Sequence, residues 1–369
     1  MRICSPQLGL NPNSVLGGEV FDREILLGLA QRGIKVEVIL PKGKPYDLNI
    51  KNWHITTVAI KHFPALLANL LFIPYLFRVY STRQFQIIRL HSPRYLGIGA
   101  LFFRVFKPKV KILATYHQFR ESNFGLFSKV INRSWDHIIC DSQNVKNRLV
   151  KSYKLSSSKI SVIHNGVPSY LKPAEKDKRL IKKLRLEGKI TLLFMGLFIK
   201  RKNPLFLLDV LKNLRNKNVI LIFLGRGPLK SEIQKKAENL SIVDQIRIFN
   251  PIYGREKNKI HNLTDIFVHP SIDEGFALAP LEAMACAKPV VITKGYSAPE
   301  AVQDGINGYL CDPNNVNDWS QKLGKLIINS NLRKRMGEAS LRKTKTEFRW
   351  SIAVGKHLKM LNNFVNGAN

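Results

Sequence analysis

Short apolar segments alternate with amphipathic segments along the chain, and the alternation comes in two successive runs. In the first run, residues 20–30 predict a helix, because Phe21, Ile25 and Leu29 lie four residues apart on one face and Gly33 can end it. The apolar segments of this run predict buried strands at residues 35–40, 85–90, 110–116, 137–140 and 159–163.

A polar, charged stretch at residues 169–188 separates the two runs, and we place the inter-domain connection at its beginning, followed by a lead-in helix. The alternation then restarts. The second run predicts strands at residues 190–195, 219–224, 246–249, 266–269 and 289–293, and helical structure at residues 204–214, 228–240 and 331–365.

Fully apolar strands interleaved with helices are typical of parallel sheets that are covered on both faces. Two such runs predict fold class α/β with two doubly wound, Rossmann-like parallel-sheet domains, the first at residues 1–168 and the second from residue 169 onwards. Ligands of such sheets bind beyond the carboxyl ends of the strands. We therefore expect the two domains to face each other, with the main site in the cleft between them.

The chain carries a large excess of positive charge. Its 369 residues include 59 Lys and Arg against 26 Asp and Glu, a formal net charge of +33, so we expect a polyanionic partner. Nucleic acid is the least favoured partner, since the sequence has no zinc-ligand spacing, no RNP-type aromatic strand and no recognisable helix-turn-helix. The four cysteines include no CxxC pair, and we expect them to be buried and reduced.

One apolar segment, residues 64–77, is shorter than the roughly 20 residues that a membrane span needs, and the N-terminus lacks a hydrophobic signal region. We therefore predict a cytoplasmic protein. Basic residues flank the segment: Lys61, His62, Arg78 and Arg83. Residues 102–109 add aromatic and basic side chains. Two interpretations stay open: a core helix under a solvated basic surface, or peripheral docking on acidic lipids at the inner face of the cytoplasmic membrane.

The segment after the predicted strand at residues 266–269 carries the most informative chemistry. Pro280 is tolerated only in the first turn of a helix, so a helix should begin near Ala279, with residues 275–278 as a loop at its N-terminus. Free amides and the positive helix end favour a bound phosphate there. Glu274 and Glu282 can then meet sugar hydroxyls and a ribose. On spacing alone, a surface glutamate and a helix-stabilising glutamate are the preferred interpretation.

The same segment resembles the E-x7-E region of the retaining GT-B glycosyltransferases of family 4, also called group 1. The matching text is Glu274-Gly275-Phe276, Leu278, residues 281–285 and residues 289–291, followed downstream by Glu300 and residues 304–309. A match of this length reverses the preference above. The resemblance implies that Glu274 contacts the donor sugar and Glu282 the nucleoside ribose. It also implies donor contacts from the loop residues Gly275, Phe276, Ala277 and Leu278.

The resemblance extends over nearly the whole chain and implies the two-domain GT-B fold. Gly17 and Gly18 resemble the N-terminal glycine-rich loop of the family, where the backbone can approach a diphosphate or the acceptor closely. His117, at the end of a predicted strand, resembles the histidine that contacts the donor sugar. Trp350 resembles the closing tryptophan. We therefore expect the second domain to end at residue 347 and residues 348–369 to form a helix that crosses back to the first domain.

Glycines mark the corresponding turns of the second domain. Gly196 and Gly225 follow its first two predicted strands and resemble the glycines that shape the nucleotide pocket of the family. At two further positions the family usually has glycine and this chain does not, namely at Asn203 and at Ala287. Neither change removes a reactive group.

A basic loop follows the first strand of the second domain. Lys202 aligns with the family's lysine that neutralises the leaving diphosphate, where a fixed cation helps most. The usual arginine position holds Leu197 instead. Arg201 or Lys200 is the hypothetical replacement. The expected catalytic residues are therefore Glu274, Lys202, His117 and Arg201.

By resemblance, the donor is a nucleoside-diphosphate sugar and the anomeric configuration is retained through front-face attack assisted by the leaving phosphate. The expected acceptor is a glycan or a lipid-linked molecule in cell-envelope polysaccharide or glycolipid synthesis. No cofactor or metal ion is expected, since the sequence has no DxD motif and no metal cluster. The alternatives are a nucleotide-sugar epimerase, a phosphorylase, and a catalytically silent GT-B scaffold in glycan assembly; Leu197 is the feature that favours the scaffold.

Overall fold

The structure is a computed structural model that describes residues 1–14, 16–44, 46, 50–59 and 67–366. The chain divides into two compact units. Unit 1 comprises Met1–Asn165 together with Trp350–Asn369, and unit 2 comprises Gly166–Arg349.

Unit 1 is built on a parallel sheet. In the described residues its strands are β1 (Arg2–Pro6), β2 (Lys35–Pro41), β3 (Trp53–Val58), β4 (Ile87–Leu90), β5 (Lys111–Tyr116), β6 (His137–Cys140) and β7 (Ile160–Val162). Their order across the sheet is β3-β2-β1-β4-β5-β6-β7. The helices of this part of the chain are α1 (Gly17–Gln31), α2 (Ala68–Leu71), α3 (Ile73–Thr82), α4 (Pro93–Phe106), α5 (Ser128–Ser134) and α6 (Gln143–Tyr153).

Unit 2 contains a second parallel sheet. Its strands are β8 (Ile190–Leu197), β9 (Val219–Arg226), β10 (Ile246–Phe249), β11 (Ile266–His269), β12 (Val290–Thr293) and β13 (Gly308–Cys311), in the order β10-β9-β8-β11-β12-β13. Its helices are α7 (Lys178–Leu184), α8 (Phe206–Asn213), α9 (Lys230–Asn239), α10 (Glu256–Leu263), α11 (Leu278–Ala285), α12 (Ala298–Ala301), α13 (Val316–Ile328) and α14 (Ser330–Glu347).

The last helix, α15 (Trp350–Asn366), belongs to unit 1. It lies against α1, where a Cβ placed on Gly28 would come within 2.4 Å of a methyl group of Val354. The ring centroids of Phe21 and Trp350 lie 6.0 Å apart in an edge-to-face arrangement. Glycine at position 28 therefore permits the close approach of the two helices.

The predicted α/β fold with two parallel-sheet domains is confirmed, and a strand is present at each of the ten predicted positions. Three strands were missed: β1 at the centre of the first sheet, and β3 and β13 at sheet edges. The four cysteines are buried and unpaired, as predicted. The buried environment raises the pKa of each thiol, which keeps it protonated.

The apolar segment at residues 64–77 is described only from residue 67 onwards; residues 64–66, Lys61 and His62 lie outside the described residues. Its described part forms α2 and the start of α3, with Phe72 and Leu76 buried in the core of unit 1. Leu67 and Leu70 are exposed. Within the described part of the chain, no helix is long and apolar enough to cross a bilayer.

Candidate active site

The loop predicted to bind the donor lies at the carboxyl end of the unit 2 sheet. Strand β11 ends at His269, residues 270–277 form the loop, and α11 begins at Leu278 with Pro280 in its first turn. Phe276 anchors the loop, since its buried ring lies 5.5 Å from the ring of Phe348. The first amides of α11 therefore point to the sheet edge where ligands of parallel sheets bind.

Glu274 lies at the centre of a polar cluster in this loop. Its carboxylate contacts Lys202 Nζ, lies 3.0 Å from an Arg201 guanidinium nitrogen, and accepts a 2.5 Å hydrogen bond from Ser271 Oγ. His269 Nε2 lies 3.5 Å away. The structure thus brings together three of the four predicted catalytic residues, Glu274, Lys202 and Arg201.

Backbone hydrogen bonds join the two loops that carry this cluster. The amide of Ile272 donates to the carbonyl of Arg201 at 3.0 Å, and Ser271 Oγ lies 3.1 Å from the same carbonyl oxygen. The Arg201 guanidinium donates in return to the carbonyl of Asp273 at 2.7 Å. Arg201 therefore holds the loop in place as well as pairing with Glu274.

The electrostatic balance of the cluster keeps Glu274 ionised. Burial acts to raise the pKa of the carboxyl, but Lys202, His269 and Arg201 together outweigh it and hold this pKa well below its usual range. For His269 burial has the opposite effect and lowers the pKa of the imidazole, and the positive charge of Lys202 acts in the same direction. At neutral pH the site therefore presents a carboxylate, a neutral imidazole and two cations.

Glu282, the second glutamate of the E-x7-E segment, is buried in α11. Lys257 Nζ of α10 lies 2.7 Å from one carboxylate oxygen, and His261 Nε2 lies 3.6 Å from the other. Burial opposes ionisation, but the charge of Lys257 prevails and lowers the pKa of Glu282 to about 2. The ionised carboxylate can accept hydrogen bonds from two neighbouring hydroxyls.

A pocket opens beside Glu274. On one side it is lined by the loop before α11, including Ser271, Phe276 and Ala277, and on the other by Thr293 at the end of β12 and Tyr296 just after it. Its walls therefore combine apolar surface with a few convergent polar groups, which is the usual composition of a small-molecule site. The described residues contain no group of three or more His, Cys, Asp or Glu side chains placed to hold a metal ion.

Two of the predicted donor glycines of unit 2 lie opposite each other. Gly196 and Gly225 are paired across β8 and β9, and a Cβ on Gly225 would fall 1.9 Å from the Gly196 carbonyl oxygen. The close approach of the two strands accounts for the glycine at position 225 without a ligand. Asn203 and Ala287, where the family usually has glycine, both adopt positive φ angles, of 51° and 56°.

The predicted site residues of unit 1 also lie together at the end of its sheet. His117 directly follows β5, and Gly17 and Gly18 are the first residues of α1. A Cβ on Gly18 would come within 3.0 Å of the His117 ring and 3.2 Å of the His91 ring. The two imidazoles face each other, with Nε2 of His117 3.3 Å from Nδ1 of His91.

Beneath these histidines, unit 1 contains a buried charge pair. Asp22 of α1 contacts Arg89 of β4, and both side chains are fully buried. His91 Nδ1 lies 3.5 Å from Asp22. Burial acts to lower the pKa of His91, but Asp22 outweighs it and raises this pKa; burial and then His91 lower the pKa of His117 to about 4. His117 is therefore neutral at pH 7.

The sequence analysis missed the residues that support these sites. In unit 2 they are His269, Ser271, Lys257 and His261, and in unit 1 they are His91, Asp22 and Arg89. His269 and His91 each end or directly follow a predicted strand, and this position is the signal that could have found them. Asp22 and Lys257 lie on helices, where the spacing of charged residues does not reveal a partner on another element.

Two parallel-sheet units with these sites define the α/β GT-B class of protein. A family model described as Glycosyltransferase Family 4 matches residues 15–169, and one described as Glycosyl transferases group 1 matches residues 176–343. The two models together match most of the chain. The chain belongs to the group 1, family 4 glycosyltransferases.

Curated relatives are similar over part of the chain. An uncharacterised glycosyltransferase of Methanocaldococcus jannaschii, MJ1178, is 32% identical over 231 residues, which are 62% of this chain and 60% of the relative. A D-inositol 3-phosphate glycosyltransferase of Thermobifida fusca is 28% identical over 218 residues, which are 56% of this chain and 50% of the relative. The chain thus spans only half to three fifths of the length of these relatives.

Solved structures share the fold over the full length. Sucrose-phosphate synthase of Thermosynechococcus elongatus superposes with a TM-score of 0.82 at 16% identity, covering 100% of both chains. Anabaena Alr3699/HepE in complex with UDP also gives a TM-score of 0.82, at 17% identity, covering 98% of this chain and 100% of that chain. At these identities the likeness establishes the fold alone.

Proposed function

We propose that this protein is a retaining glycosyltransferase that moves a sugar from a nucleoside-diphosphate sugar to a glycan or lipid-linked acceptor. The observation that carries the proposal is the cluster of Glu274, Lys202 and Arg201 beside the pocket at the N-terminus of α11. The family supplies the transferase activity, and the UDP and UDP-glucose named in the Anabaena Alr3699/HepE structures support a nucleotide-sugar donor.

In this proposal the cations of the basic loop exchange partners when the donor binds. Lys202 and Arg201 contact Glu274, and both side chains are partly exposed. A diphosphate at the amides of Gly275–Leu278 would offer them stronger anionic partners. The ionised Glu274 is then available to accept hydrogen bonds from sugar hydroxyls. Negative charge that develops on the leaving diphosphate is stabilised by Lys202 and Arg201.

Glu282 is proposed to hold the ribose of the donor. Its low pKa keeps it an acceptor at every physiological pH, and Lys257 fixes the position of one carboxylate oxygen. His117 stays a predicted contact of the donor sugar, since its neutral ring can exchange a hydrogen bond with a hydroxyl. The proposal has three further parts. The protein associates peripherally with a membrane, it acts in cell-envelope polysaccharide or glycolipid synthesis, and it needs no metal ion for activity.

Thermal-shift titration tests the donor site. Ligands that bind only the folded protein raise its melting temperature, so UDP, GDP, ADP and their sugars are compared at millimolar concentration. We expect one nucleotide family to stabilise the parent protein and to lose most of this effect in Glu282→Gln. The matched control is Glu256→Gln, which removes an exposed carboxylate paired with Lys259 on α10.

Stabilisation that is equal in both variants would remove Glu282 from the site. No response to any nucleotide would overturn the donor proposal and favour a silent scaffold. Once the donor is known, NMR of the product tests the stereochemistry. An inverted anomeric centre would contradict the retaining mechanism, and turnover that EDTA abolishes would contradict the expectation that no metal ion is needed.

A further inference from the structure

Helix α4 of unit 1 exposes an apolar face. Its opposite face is buried in the core, where Leu96 and Phe103 contribute. The exposed face carries four large apolar side chains: Ile98, Phe102, Val105 and Phe106. They lie at helical spacing on one side, and the centroids of the Phe102 and Phe106 rings lie 5.3 Å apart in a tilted arrangement. Soluble monomers seldom expose such a continuous apolar stripe without a use for it.

A second apolar group lies in and just after the turn that precedes α5. Leu126 is 98% exposed, Phe127 is 67% exposed, and Val130 in the first turn of α5 is 66% exposed. A leucine side chain with almost no protein contact gains nothing for the fold of the unit. In unit 2, by contrast, the exposed large apolar residues are widely separated in sequence, for example Val243 and Ile328.

The two groups lie on neighbouring helices. Strands β4, β5 and β6 are adjacent in the sheet, and right-handed crossovers place α4 and α5 on the same face of it. Direct contacts join α4 to the segment that follows α5. A Cβ on Gly97 of α4 would come within 2.6 Å of the Trp135 ring just after α5, and Arg104 pairs with Asp136 at 3.0 Å. We call the exposed apolar residues of α4 together with Leu126, Phe127 and Val130 the docking face.

The charge around the docking face is almost entirely positive. Residues 67–136 contain eleven Lys and Arg against two Asp and Glu. Of the eleven, Arg89 is buried against Asp22 and Arg83 pairs with Glu37, which leaves nine cations for the surface. Of the two acids, Asp136 pairs with Arg104, and Glu121 accepts a hydrogen bond from the backbone amide of His117. Exposed cations stand among the apolar residues: Arg94 and Lys109 beyond the two ends of the α4 stripe, and Lys129 between Phe127 and Val130.

We propose that unit 1 binds the surface of an anionic lipid membrane through the docking face. The apolar side chains would enter the boundary between headgroups and acyl chains, and the neighbouring Arg and Lys side chains would meet the lipid phosphates. This inference rests on the proposed function only for its lipid-linked acceptor. The docking face takes the place of residues 64–77 as the main membrane contact, because Phe72 and Leu76 are buried in the core of unit 1.

The charge and the apolar side chains of the docking face exclude two other partners, a second copy of this chain and nucleic acid. Two copies of this face would bring two strongly cationic surfaces together, and like charges across an interface cost several kcal/mol. Nucleic acid would satisfy the cations but would leave aliphatic side chains such as Leu126 and Val130 without partners, because its outer surface is phosphate and sugar. A bilayer with acidic headgroups satisfies both kinds of residue at once.

Sedimentation with vesicles of phosphatidylcholine, with and without phosphatidylglycerol, tests the proposal. The full-length protein should bind the anionic vesicles and not the neutral ones. The combined variant Leu126→Ser, Phe127→Ser, Val130→Ser should bind at least about tenfold more weakly, since each lost side chain is largely exposed in the free protein. The combined variant Arg94→Gln, Lys109→Gln, Lys129→Gln should bind about 100-fold more weakly at low salt.

The matched control is Val243→Ser with Ile328→Ser, which removes exposed apolar side chains from unit 2 and should leave vesicle binding unchanged. If the Leu126→Ser, Phe127→Ser, Val130→Ser variant bound vesicles as the parent protein does, the proposal would be overturned, because charge alone would then account for the vesicle binding. A parent dimer that the same variant converts to a monomer would overturn it as well. Nucleotide stabilisation is measured on every variant. Its absence with intact vesicle binding would overturn the proposed function and leave the docking face standing.

Discussion

Each of the two sheets ends in a cluster of opposite charges, and the clusters differ in how far water reaches them. In unit 2, the side chains of Glu274, Lys202 and Arg201 keep 14%, 16% and 22% of their exposure and stand on loops. In unit 1, Asp22 and Arg89 stand on a helix and a strand and are fully buried. The first cluster can therefore exchange partners with a ligand, whereas the second cannot open without leaving a charge in the core.

The two clusters differ in the task of their residues: those of unit 2 can bind a ligand, and those of unit 1 position the histidines above them. The buried pair of unit 1 determines the protonation of the two histidines at the sheet end, because Asp22 raises the pKa of His91, and burial together with His91 lowers the pKa of His117. In unit 2 the corresponding supports, Ser271 and His269, contact Glu274 directly. Substitutions in unit 1 should therefore act first on stability, and those in unit 2 first on activity.

The largest expected effect is the loss of the buried arginine. Arg89→Met leaves Asp22 buried without its main partner and should lower the free energy of unfolding of unit 1 by about 3–5 kcal/mol. Arg201→Met, at a partly exposed pair, should cost less than about 1 kcal/mol. Urea denaturation followed by tryptophan fluorescence measures both. Equal losses in the two variants would contradict the distinction between the clusters, and Asp22→Leu added to Arg89→Met should recover part of the loss.

The second prediction concerns the exposed cluster. Glu274→Gln removes the carboxylate but keeps its shape, so turnover should fall by about 100- to 1000-fold while the melting temperature changes little. Lys202 and Arg201 remain accessible to water, which limits the cost of losing their partner. Asp273→Asn, one residue away, is the control and should retain most of the activity. Turnover of Glu274→Gln close to that of the parent protein would remove Glu274 from the chemistry.

The sequence identified more members of the charge cluster of unit 2 than of the charge cluster of unit 1, and the reason is the range of the interactions. Glu274, the loop at residues 275–278 and the helix start lie within one short segment, so local rules and a family resemblance both apply. The supports of unit 1 join residues far apart in the chain, such as Asp22 and Arg89. No pattern in a single sequence shows which distant charges are paired.

The missed strands have similar physical causes. Strand β1, with the sequence Arg-Ile-Cys-Ser-Pro, is short and contains two residues that favour turns, yet its central place between β2 and β4 buries it. Strand β3 lies at a sheet edge and buries only its first and last residues, and β13 begins with a glycine. Tertiary pairing determines these strands, and their intrinsic propensity is weak.

Acid titration should distinguish a buried histidine of unit 1 from the buried glutamate of unit 2, because the two groups affect stability in different pH windows. His357 of unit 1 is fully buried, and burial lowers its pKa to about 3, below the unfolded value of 6.5. The unfolded chain therefore takes up its proton first, and stability falls by up to about 3 kcal/mol as the pH drops from 6.5 towards 4. For Glu282 in unit 2, whose pKa is lowered from 4.5 to about 2, a similar loss occurs between pH 4.5 and 2.

His357→Gln should flatten the upper window of the melting-temperature profile, and Glu282→Gln should flatten the lower window. Melting curves recorded at half-unit intervals of pH measure both. If Glu282→Gln altered the profile above pH 5, the assignment of a strongly lowered pKa to Glu282 would be wrong. A profile between pH 6.5 and 4 that His357→Gln leaves unchanged would contradict the role given to His357.

The smallest effect tests the backbone that carries the site of unit 2. Ala287 follows α11 with a φ of 56°, and the amides of Ala287 and Lys288 close the helix on the carbonyls of Met284 and Ala283. An alanine in this left-handed conformation costs about 1–2 kcal/mol of backbone strain, which glycine avoids. Glycine in turn increases the conformational entropy of the unfolded chain, but this destabilisation is smaller than the strain. Ala287→Gly should therefore raise the free energy of unfolding of unit 2 by about 1 kcal/mol. Ala285→Gly, inside the helix, should lower it by a similar amount.

Asn203→Gly should change stability less than Ala287→Gly, because asparagine tolerates the left-handed conformation better than alanine does. The three variants are compared by urea denaturation in the presence and absence of the nucleotide. A decrease in stability for Ala287→Gly would mean that the alanine methyl group has a packing role that outweighs its backbone strain. An increase, with nucleotide binding unchanged, would show that the loop and α11 hold the site in unit 2 at the cost of one strained residue, whereas unit 1 relies on a buried ion pair.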